Sequence, residues 1–337
     1  MKILVTGGAG FIGTNFVSYT LRNHPEDRVT VLDNLTYAGR MENVARFKRD
    51  PRFRFVKGDI CDHDIVDHLV RGSDVVVHFA AETHVDRSVQ GAGDFVRTNV
   101  LGTQNLLDAC LRNGNKRFHH VSTDEVFGSL GPIGLFSETS AYDPRSPYSA
   151  SKAGSDHLVR AAFYTHGLPV TLSNCSNNYG PYQFPEKVLP LFITNLIEGK
   201  KVPLYGDGTN IRDWIYVEDH CDGVDRTLRD GRFGETYLFG GRAERSNAEL
   251  TNIILFEMGM SSDMIQFVKD RPGHDLRYGI DFSKAEHEFK WYPKTPFLHG
   301  IRRTIAWYRQ NEAWWKPLKQ SNWFSNGVYS DIKNTKE

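Results

Sequence analysis

The chain has 337 residues, of which 39% are hydrophobic and 24% charged, as is ordinary for a globular protein of one large domain or two smaller ones. Lys plus Arg and Asp plus Glu both number 41, so the net charge is zero and indicates no nucleic-acid or membrane partner. The four cysteines are far apart and no apolar run suits a signal peptide or a membrane helix. We expect a cytoplasmic protein.

The first half of the chain alternates the patterns of buried strands and amphipathic helices. Strands are predicted at residues 2–6, 29–32, 53–56, 74–78, 117–122 and 169–174. Helices are predicted at residues 12–23, 65–71, 95–113 and 149–166. This alternation predicts an α/β fold with a Rossmann-type, doubly wound parallel sheet.

The composition changes after about Tyr179, where long loops become rich in Gly, Pro and Tyr. The sequence therefore predicts a Rossmann domain over residues 1–178 and a smaller mixed α/β substrate-binding lobe over residues 179–330. We expect the chain to re-enter the first domain later, so this boundary is approximate.

A glycine-rich turn joins the first predicted strand to the first helix. Gly7, Gly10 and Gly13 would make the turn tight and let the backbone approach a pyrophosphate at the helix N-terminus. The second strand ends at Asp33, where a carboxylate would bind ribose hydroxyls and repel a 2′-phosphate, so NAD is favoured over NADP. Asp59, after the third strand, is a predicted contact on the adenine side. A purely structural glycine turn is the alternative.

Tyr148 and Lys152 follow Pro147, a helix-start signal, and their i, i+4 spacing places them on one helix face. A tyrosine with a pKa of ~10 is a poor base at neutral pH, but a nearby lysine and a positive nicotinamide would lower that pKa. Such a tyrosine can take a proton from a sugar hydroxyl. The same spacing recurs at Tyr329 and Lys333 in a polar tail, where we expect no active site.

The fifth predicted strand runs into Thr123, Asp124 and Glu125. Ligands of open parallel sheets bind beyond the carboxyl ends of the strands. One carboxyl group there can act as a general acid that expels a hydroxyl, and the other as a base at a carbon α to a ketone. Two adjacent acids could instead belong to a solvated turn or cap a helix, but their position beside the Tyr–Lys pair favours chemistry.

Histidines and aromatic residues suggest no further site. His119 and His120 are adjacent on a predicted strand, so they point to opposite faces and cannot chelate one ion; we expect no metal. The aromatic residues near the carboxy terminus are expected to pack the last helix: Trp307, Tyr308, Trp314, Trp315 and Trp323.

Taken together, these motifs resemble the extended short-chain dehydrogenase/reductase superfamily and, within it, the dTDP-glucose 4,6-dehydratase family. The resemblance runs from TGGAGFIG to WYRQNEAWW and includes LDNLTYAGR, HFAAETHVDRS, VSTDEVFG, SPYSASKAGSD and NCSNNYGPYQFPEK. Phe127 departs from the Tyr usual in the family, and we expect little effect from this loss of a hydroxyl.

The resemblance implies an NAD-dependent lyase that converts dTDP-glucose to dTDP-4-keto-6-deoxyglucose and water in deoxysugar biosynthesis, for rhamnose or a natural product. NAD would stay tightly bound and be regenerated in each turnover. Tyr148 would deprotonate the 4-hydroxyl during oxidation at C4, with Thr123 hydrogen-bonded to that hydroxyl. Glu125 would then remove the C5 proton and Asp124 protonate the leaving 6-hydroxyl, before hydride returns to C6.

The resemblance also implies the residues that bind each ligand. Cofactor positions are Gly7, Gly10, Phe11, Ile12, Gly13, Asp33, Asn34, Leu35, Thr36, Asp59, Ile60, Ala80, Ala81, Thr98, Tyr148, Lys152 and Asn178. Substrate positions are Thr83, Thr123, Asn177, Lys187, Val188, Pro203, Tyr205, Arg212, Asn247, Arg271 and His274. Arg212 and Arg271 suit diphosphate clamps, because a guanidinium can donate two hydrogen bonds to phosphate. A homodimer through the helices at about 95–113 and 149–166 is expected.

Three alternatives remain. A UDP- or CDP-glucose 4,6-dehydratase would keep the chemistry with another nucleobase. A sugar-nucleotide 4-epimerase or decarboxylase shares the glycine turn and the Tyr–Lys pair but lacks the paired acids at the strand end. A non-enzymatic NAD-binding regulator would tolerate loss of all four catalytic side chains, which are intact here.

Overall fold

The computed structural model describes residues 1–270 and 273–320. The strands are β1 (Lys2–Thr6), β2 (Arg28–Asp33), β3 (Phe53–Lys57), β4 (Val75–His78), β5 (Arg117–Thr123), β6 (Val170–Cys175), β7 (Asn177–Tyr179), β8 (Val202–Tyr205), β9 (Ile211–Tyr216), β10 (Thr236–Phe239), β11 (Glu244–Ser246) and β12 (Ile265–Val268). The α-helices are α1 (Phe11–Asn23), α2 (Met41–Val44), α3 (His63–Arg71), α4 (Val85–Gln90), α5 (Gly93–Phe95), α6 (Thr103–Arg112), α7 (Pro147–His166), α8 (Val188–Ile197), α9 (Val217–Asp230), α10 (Asn247–Met258), α11 (Ser283–Phe289), α12 (Phe297–Gln310) and α13 (Glu312–Lys319).

The central sheet has seven parallel strands in the order β10-β6-β5-β4-β1-β2-β3. Its inner strands are buried along most of their length because helices cover both faces, and β1 and β4 are rich in apolar residues. All six predicted strands are present, so the predicted fold class is confirmed. Thr6 lies opposite His78, and His78 opposite His120, so β1 and β4 end level at one edge and β5 continues beyond them to Thr123.

After strands β7, β8 and β9, which belong to smaller sheets, the chain returns to the central sheet. Helix α9 buries Val217, Cys221, Val224 and Leu228 in the same cluster as residues of β1 and α1, and β10 adds a strand beside β6. The second lobe contains the small sheets β11-β9-β7 and β12-β8. Residues 1–178 are therefore not a closed unit, because later segments complete both a face and an edge of the sheet.

The helix predicted at residues 95–113 is not uniform. A π-helical stretch, Val96–Gly102, separates α5 from α6. Apolar periodicity of 3.6 residues cannot distinguish such a stretch from α-helix, and π segments occur often at functional sites. Within this stretch, Thr98 lines the cleft described below, and Asn99 accepts a hydrogen bond from the loop at Glu82.

The remaining sequence expectations concern cysteines and aromatic residues. All four cysteines are free thiols. Tyr308 and Trp315 are fully buried, as predicted for packing of the last helices, whereas Trp323 lies outside the described residues. In residues 1–270 and 273–320, none of the helices has the length and apolar composition needed to cross a membrane. In the same part of the chain, no three His, Cys, Asp or Glu side chains gather as a metal site requires.

Candidate active site

The glycine-rich turn leaves no room for side chains. A Cβ on Gly13 would lie 2.2 Å from the carbonyl oxygen of Gly7, and one on Gly7 would lie 2.5 Å from the amide nitrogen of Ala80. Gly7 also has a φ of +71°, which favours glycine. Helix α1 begins after Gly10 with no side-chain cap, so its N-terminus can face an anion. This turn therefore fits the pyrophosphate of a dinucleotide.

Asp33 and Asp59 lie where a nucleoside would follow that pyrophosphate. The Asp33 carboxylate accepts hydrogen bonds from the backbone N–H groups of Ala9 at 2.9 Å and Leu35 at 2.8 Å. Asp59 accepts one from Arg97 at 2.9 Å. Both carboxylates are thus fixed, and each oxygen keeps lone pairs for further hydrogen bonds.

One cleft of about 770 Å³ at the carboxyl edge of the sheet brings the predicted cofactor and catalytic residues together. Every predicted cofactor position lines it except Leu35, whose side chain packs against the core beside the cleft. The five predicted catalytic residues also line it: Thr123, Asp124, Glu125, Tyr148 and Lys152.

The start of α7 fixes the Tyr–Lys pair. Ser146 caps the helix in a reciprocal capping box with Ser149, and Pro147 occupies its first turn. Tyr148 therefore sits on the first turn and Lys152 on the second. The Lys152 ammonium donates a hydrogen bond to the Val121 carbonyl at 2.9 Å, which holds it against β5.

The two acids at the end of β5 have different surroundings. Asp124 is 2% exposed, and burial, with Glu125 and Asp213 nearby, raises its pKa well above the usual range. Its Oδ2 has no hydrogen-bond partner among the described residues. Glu125 is only partly buried, and its backbone N–H is bonded to the Thr123 hydroxyl at 3.3 Å. Burial thus favours the neutral form of Asp124, beside a carboxyl group that is open to the cleft.

Burial dominates the pKa of the Tyr148 phenol. Burial, with the charge of Glu125 next, raises the pKa of Tyr148 well above 10, so the protein groups alone do not favour phenolate. Burial also lowers the pKa of Lys152 to about 8. The lowering of this pKa by a lysine and a positive nicotinamide, expected from the sequence, therefore stays a prediction.

Comparisons with known proteins agree with this geometry. The profile of the family described as GDP-mannose 4,6 dehydratase matches residues 4–304. The chain is 54% identical over 325 residues to the dTDP-glucose 4,6-dehydratase of Streptomyces antibioticus, spanning 95% of this chain and 96% of that relative. A crystal structure of dTDP-glucose 4,6-dehydratase from Streptomyces venezuelae, with NAD and TYD bound, aligns with a TM-score of 0.93 at 52% identity, over 95% of this chain and all (100%) of that one. The enzyme of Bacillus anthracis, in complex with NAD, aligns with a TM-score of 0.89 at 46% identity, over the same shares of 95% and 100%.

The chain belongs to the dTDP-glucose 4,6-dehydratase family. The resemblance drawn from the sequence motifs is thereby confirmed. In this member of the dTDP-glucose 4,6-dehydratase family, Phe127 is buried and packs against Phe136 and Tyr142, each at a ring-centroid distance of 5.2 Å. The Phe127 side chain therefore contributes to packing next to the end of β5.

The predicted substrate residues fall into two groups. Thr83, Thr123, Asn177 and Lys187 line the cleft, and Lys187 donates a hydrogen bond to the Thr83 carbonyl at 2.9 Å. The others lie in the second lobe, on or beside α8, β8, β9 and α10: Val188, Pro203, Tyr205, Arg212, Asn247 and His274. Arg271 lies outside the described residues.

Arg212 links the second lobe to the catalytic acids. Its guanidinium is 4.2 Å from the centre of the Tyr278 ring and donates to the Asp275 carbonyl at 3.0 Å. It also lies close enough to act on the pKa of Asp124, which it lowers against the larger effect of burial. A cation thus stands on the substrate side of these acids.

Several cleft residues were missed by sequence reasoning. Glu186 forms an ion pair with Arg87 at 3.2 Å, and Arg87 lies 4.0 Å from the centre of the Tyr37 ring. Glu82 also lines the cleft, and burial raises its pKa to about 7. These residues come from three distant segments with no shared local pattern, so only the family motifs that contain them could have indicated a role.

Proposed function

We propose that the protein is an NAD-dependent dTDP-glucose 4,6-dehydratase, which converts dTDP-glucose to dTDP-4-keto-6-deoxyglucose and water. The observation that carries this proposal is the pair Asp124 and Glu125 in the cleft that also holds Tyr148 and Lys152. Oxidation at C4 needs only the Tyr–Lys pair, whereas elimination across C5 and C6 needs an acid and a base. A 4-epimerase has no step that uses such a pair.

The surroundings of each side chain support one role in this reaction. Tyr148 takes the proton of the 4-hydroxyl, with the Thr123 hydroxyl beside it. NAD supplies the hydride acceptor at C4, then the donor at C6, and its positive ring offsets the raised pKa of the tyrosine. Glu125 removes the proton at C5, which the C4 ketone acidifies, and C5 is reprotonated when the hydride is returned to C6. Asp124, neutral because it is buried, protonates the leaving 6-hydroxyl.

The substrate test is turnover of dTDP-, UDP- and CDP-glucose side by side, following the 4-keto-6-deoxy product. We expect the highest kcat/KM with dTDP-glucose. A higher kcat/KM with UDP- or CDP-glucose would show that the protein catalyses the same reaction on a different nucleotide sugar. Formation of dTDP-galactose without a 4-keto product would instead make the protein an epimerase.

The division of labour is tested by Glu125→Gln, which removes the base but preserves the shape of the side chain. We expect oxidation at C4 to continue and elimination to fall by about 10²–10⁴-fold, so that enzyme-bound NADH accumulates, detected by its absorbance. Asp124→Asn should give the same accumulation. An unchanged product rate in Glu125→Gln would remove this residue from the proposed role.

We also propose that the protein is a homodimer. Val96 and Leu101, which precede α6, and Tyr164 of α7 are 48%, 60% and 78% exposed, an unusual share of apolar surface near two neighbouring helices. Leu101→Lys should shift the sedimentation coefficient from dimer to monomer. Phe256→Lys, at an 81% exposed site on α10, is the control and should not. Wild-type protein sedimenting as a monomer would contradict the proposal.

The proposed location is the cytoplasm, because all four cysteines are free thiols, as a reducing compartment favours. Cell fractionation tests it, and recovery of the protein in a secreted fraction would contradict it.

A further inference from the structure

A closed polar cluster lies behind Lys152, on the side of α7 that faces β5. The Lys152 ammonium is 3.3 Å from Nε2 of His120, and the same nitrogen is 3.1 Å from Oδ1 of Asp156. His120 and Asp156 are fully buried and Lys152 is 3% exposed. Asp156 is four residues after Lys152, which is four after Tyr148, so the three share one face of α7.

The structure supports Asp156 as a carboxylate. Its Oδ2 accepts hydrogen bonds from the hydroxyl groups of Ser122 at 2.8 Å and Tyr142 at 2.9 Å, and from the Asn174 amide at 3.4 Å. Burial leaves the pKa of Asp156 above its usual value, although Lys152 and these three donors offset part of that rise. A buried charge is retained where hydrogen bonds and an opposite charge replace water, and both are present here.

His120 separates the two charges without carrying one. Burial, then the charge of Lys152, lowers the pKa of His120 well below 6.5, so the imidazole is neutral. Its ring also lies against that of His78, with centroids 5.2 Å apart. The neutral ring keeps water out of the space between the ammonium and the carboxylate, which strengthens their attraction.

We propose that Asp156 is a positioning residue of the reaction, acting across His120 to hold Lys152 as an ammonium beside Tyr148. This inference rests on the function proposed above, because it assigns Lys152 the charge that the tyrosine needs in the oxidation step. Asp156 does not touch the cleft, and it acts only through Lys152.

The charge of Asp156 matters because the pKa of Lys152 lies close to neutral pH. Burial lowers the pKa of Lys152 to about 8, and Asp156 is the largest influence that raises it. The other titratable groups facing the pair are uncharged at pH 7, because burial raises the pKa of the acidic groups and lowers that of the histidine: Tyr142, Tyr148, Cys175 and His78. Without Asp156, the ammonium would lose its proton at lower pH.

The test is Asp156→Asn, whose amide oxygen can still accept the three hydrogen bonds. We expect the alkaline limb of the kcat–pH profile to move down by about one unit, so that kcat at pH 8 falls about fivefold while KM changes little. His119→Gln is the control: His119 is equally buried on the opposite face of β5, bonded to Thr171 and Ser173, and its loss should not move the limb. If the alkaline limb of the kcat–pH profile of Asp156→Asn stays at its wild-type position, the proposal is overturned, even if kcat itself is lower.

A second measurement needs no substrate and reads the charge of Lys152 directly. In wild-type protein with NAD bound and lysine labelled with ¹³C, the ε-carbon signal of Lys152, assigned by its loss in Lys152→Arg, should be that of an ammonium at pH 7. A neutral amine at pH 7 would refute the proposal. In folded Asp156→Asn, the midpoint of this titration should drop. If it drops while wild-type protein does not turn over dTDP-glucose, the proposed function fails and the positioning role stands.

Discussion

Asp124 and Glu125 are neighbours in the chain, yet the fold gives them opposite properties. Asp124 is buried near Asp213, where its charged form is costly, whereas Glu125 is only partly buried. The sequence indicates an acid and a base but not which is which from the residues alone. Burial supports the proposed assignment, because it raises the pKa of one carboxyl group and leaves the other accessible.

Glu82 can be used to test how burial changes the pKa of a single carboxyl group. Its pKa is raised from 4.5 to about 7, chiefly by burial. The folded protein therefore binds this proton more tightly than the unfolded chain, and its stability falls as the pH rises from 4.5 to about 7.

Glu82→Gln should remove that loss, making the variant more stable than wild type by about 2 kcal/mol at pH 8 and no more stable at pH 4. Urea unfolding at both pH values, without added NAD, measures the difference. A difference in unfolding free energy that is the same at both pH values would contradict the raised pKa.

At the scale of elements, the π-helical stretch Val96–Gly102 ties the cleft loop to α7. The Asn99 side chain accepts from the Glu82 N–H at 2.9 Å, donates to the Glu82 carbonyl at 3.0 Å, and donates to the Ser151 hydroxyl at 2.8 Å. Three bonds from one buried amide thus join three segments around the cofactor cleft.

Asn99→Ala should lower the free energy of unfolding by about 3 kcal/mol and weaken NAD binding, because buried backbone groups of the cleft loop lose their partners. Asn105→Ala is the matched control, since Asn105 lies on α6 and donates one hydrogen bond, to the Ile60 carbonyl at 2.8 Å. We expect it to cost about 1 kcal/mol. Equal losses in chemical denaturation would show that Asn99 has no special linking role.

At the scale of the whole molecule, the sequence division at residue 178 separates parts that share one core. Helix α9 and strand β10 follow residue 178 in the chain, yet α9 packs on one face of the central sheet and β10 forms its edge beside β6. We therefore expect residues 1–178, expressed alone, to lack a cooperative thermal transition, because one face of the sheet and its edge beside β6 would be exposed. Circular dichroism melting compares the fragment with the full chain, and a sharp transition in the fragment would show an independent domain.

The sequence by itself determined the features that are local. Strand patterns, the glycine turn, the end of β2 at Asp33 and the i, i+4 spacing of Tyr148 and Lys152 all follow from periodicity and backbone sterics within a few residues. The family motifs added the ligand positions, although half of the substrate set lies in the second lobe, apart from the cleft residues.

The tertiary structure decided everything that depends on burial among distant segments. The raised pKa values of Asp124 and Tyr148 and the hydrogen bonds to Asp156 behind Lys152 each arise from groups that the fold brings together. No local pattern encodes the polarity of a site, because desolvation is a sum over all neighbours in space. The sequence thus placed the reacting groups, and the fold set their charges.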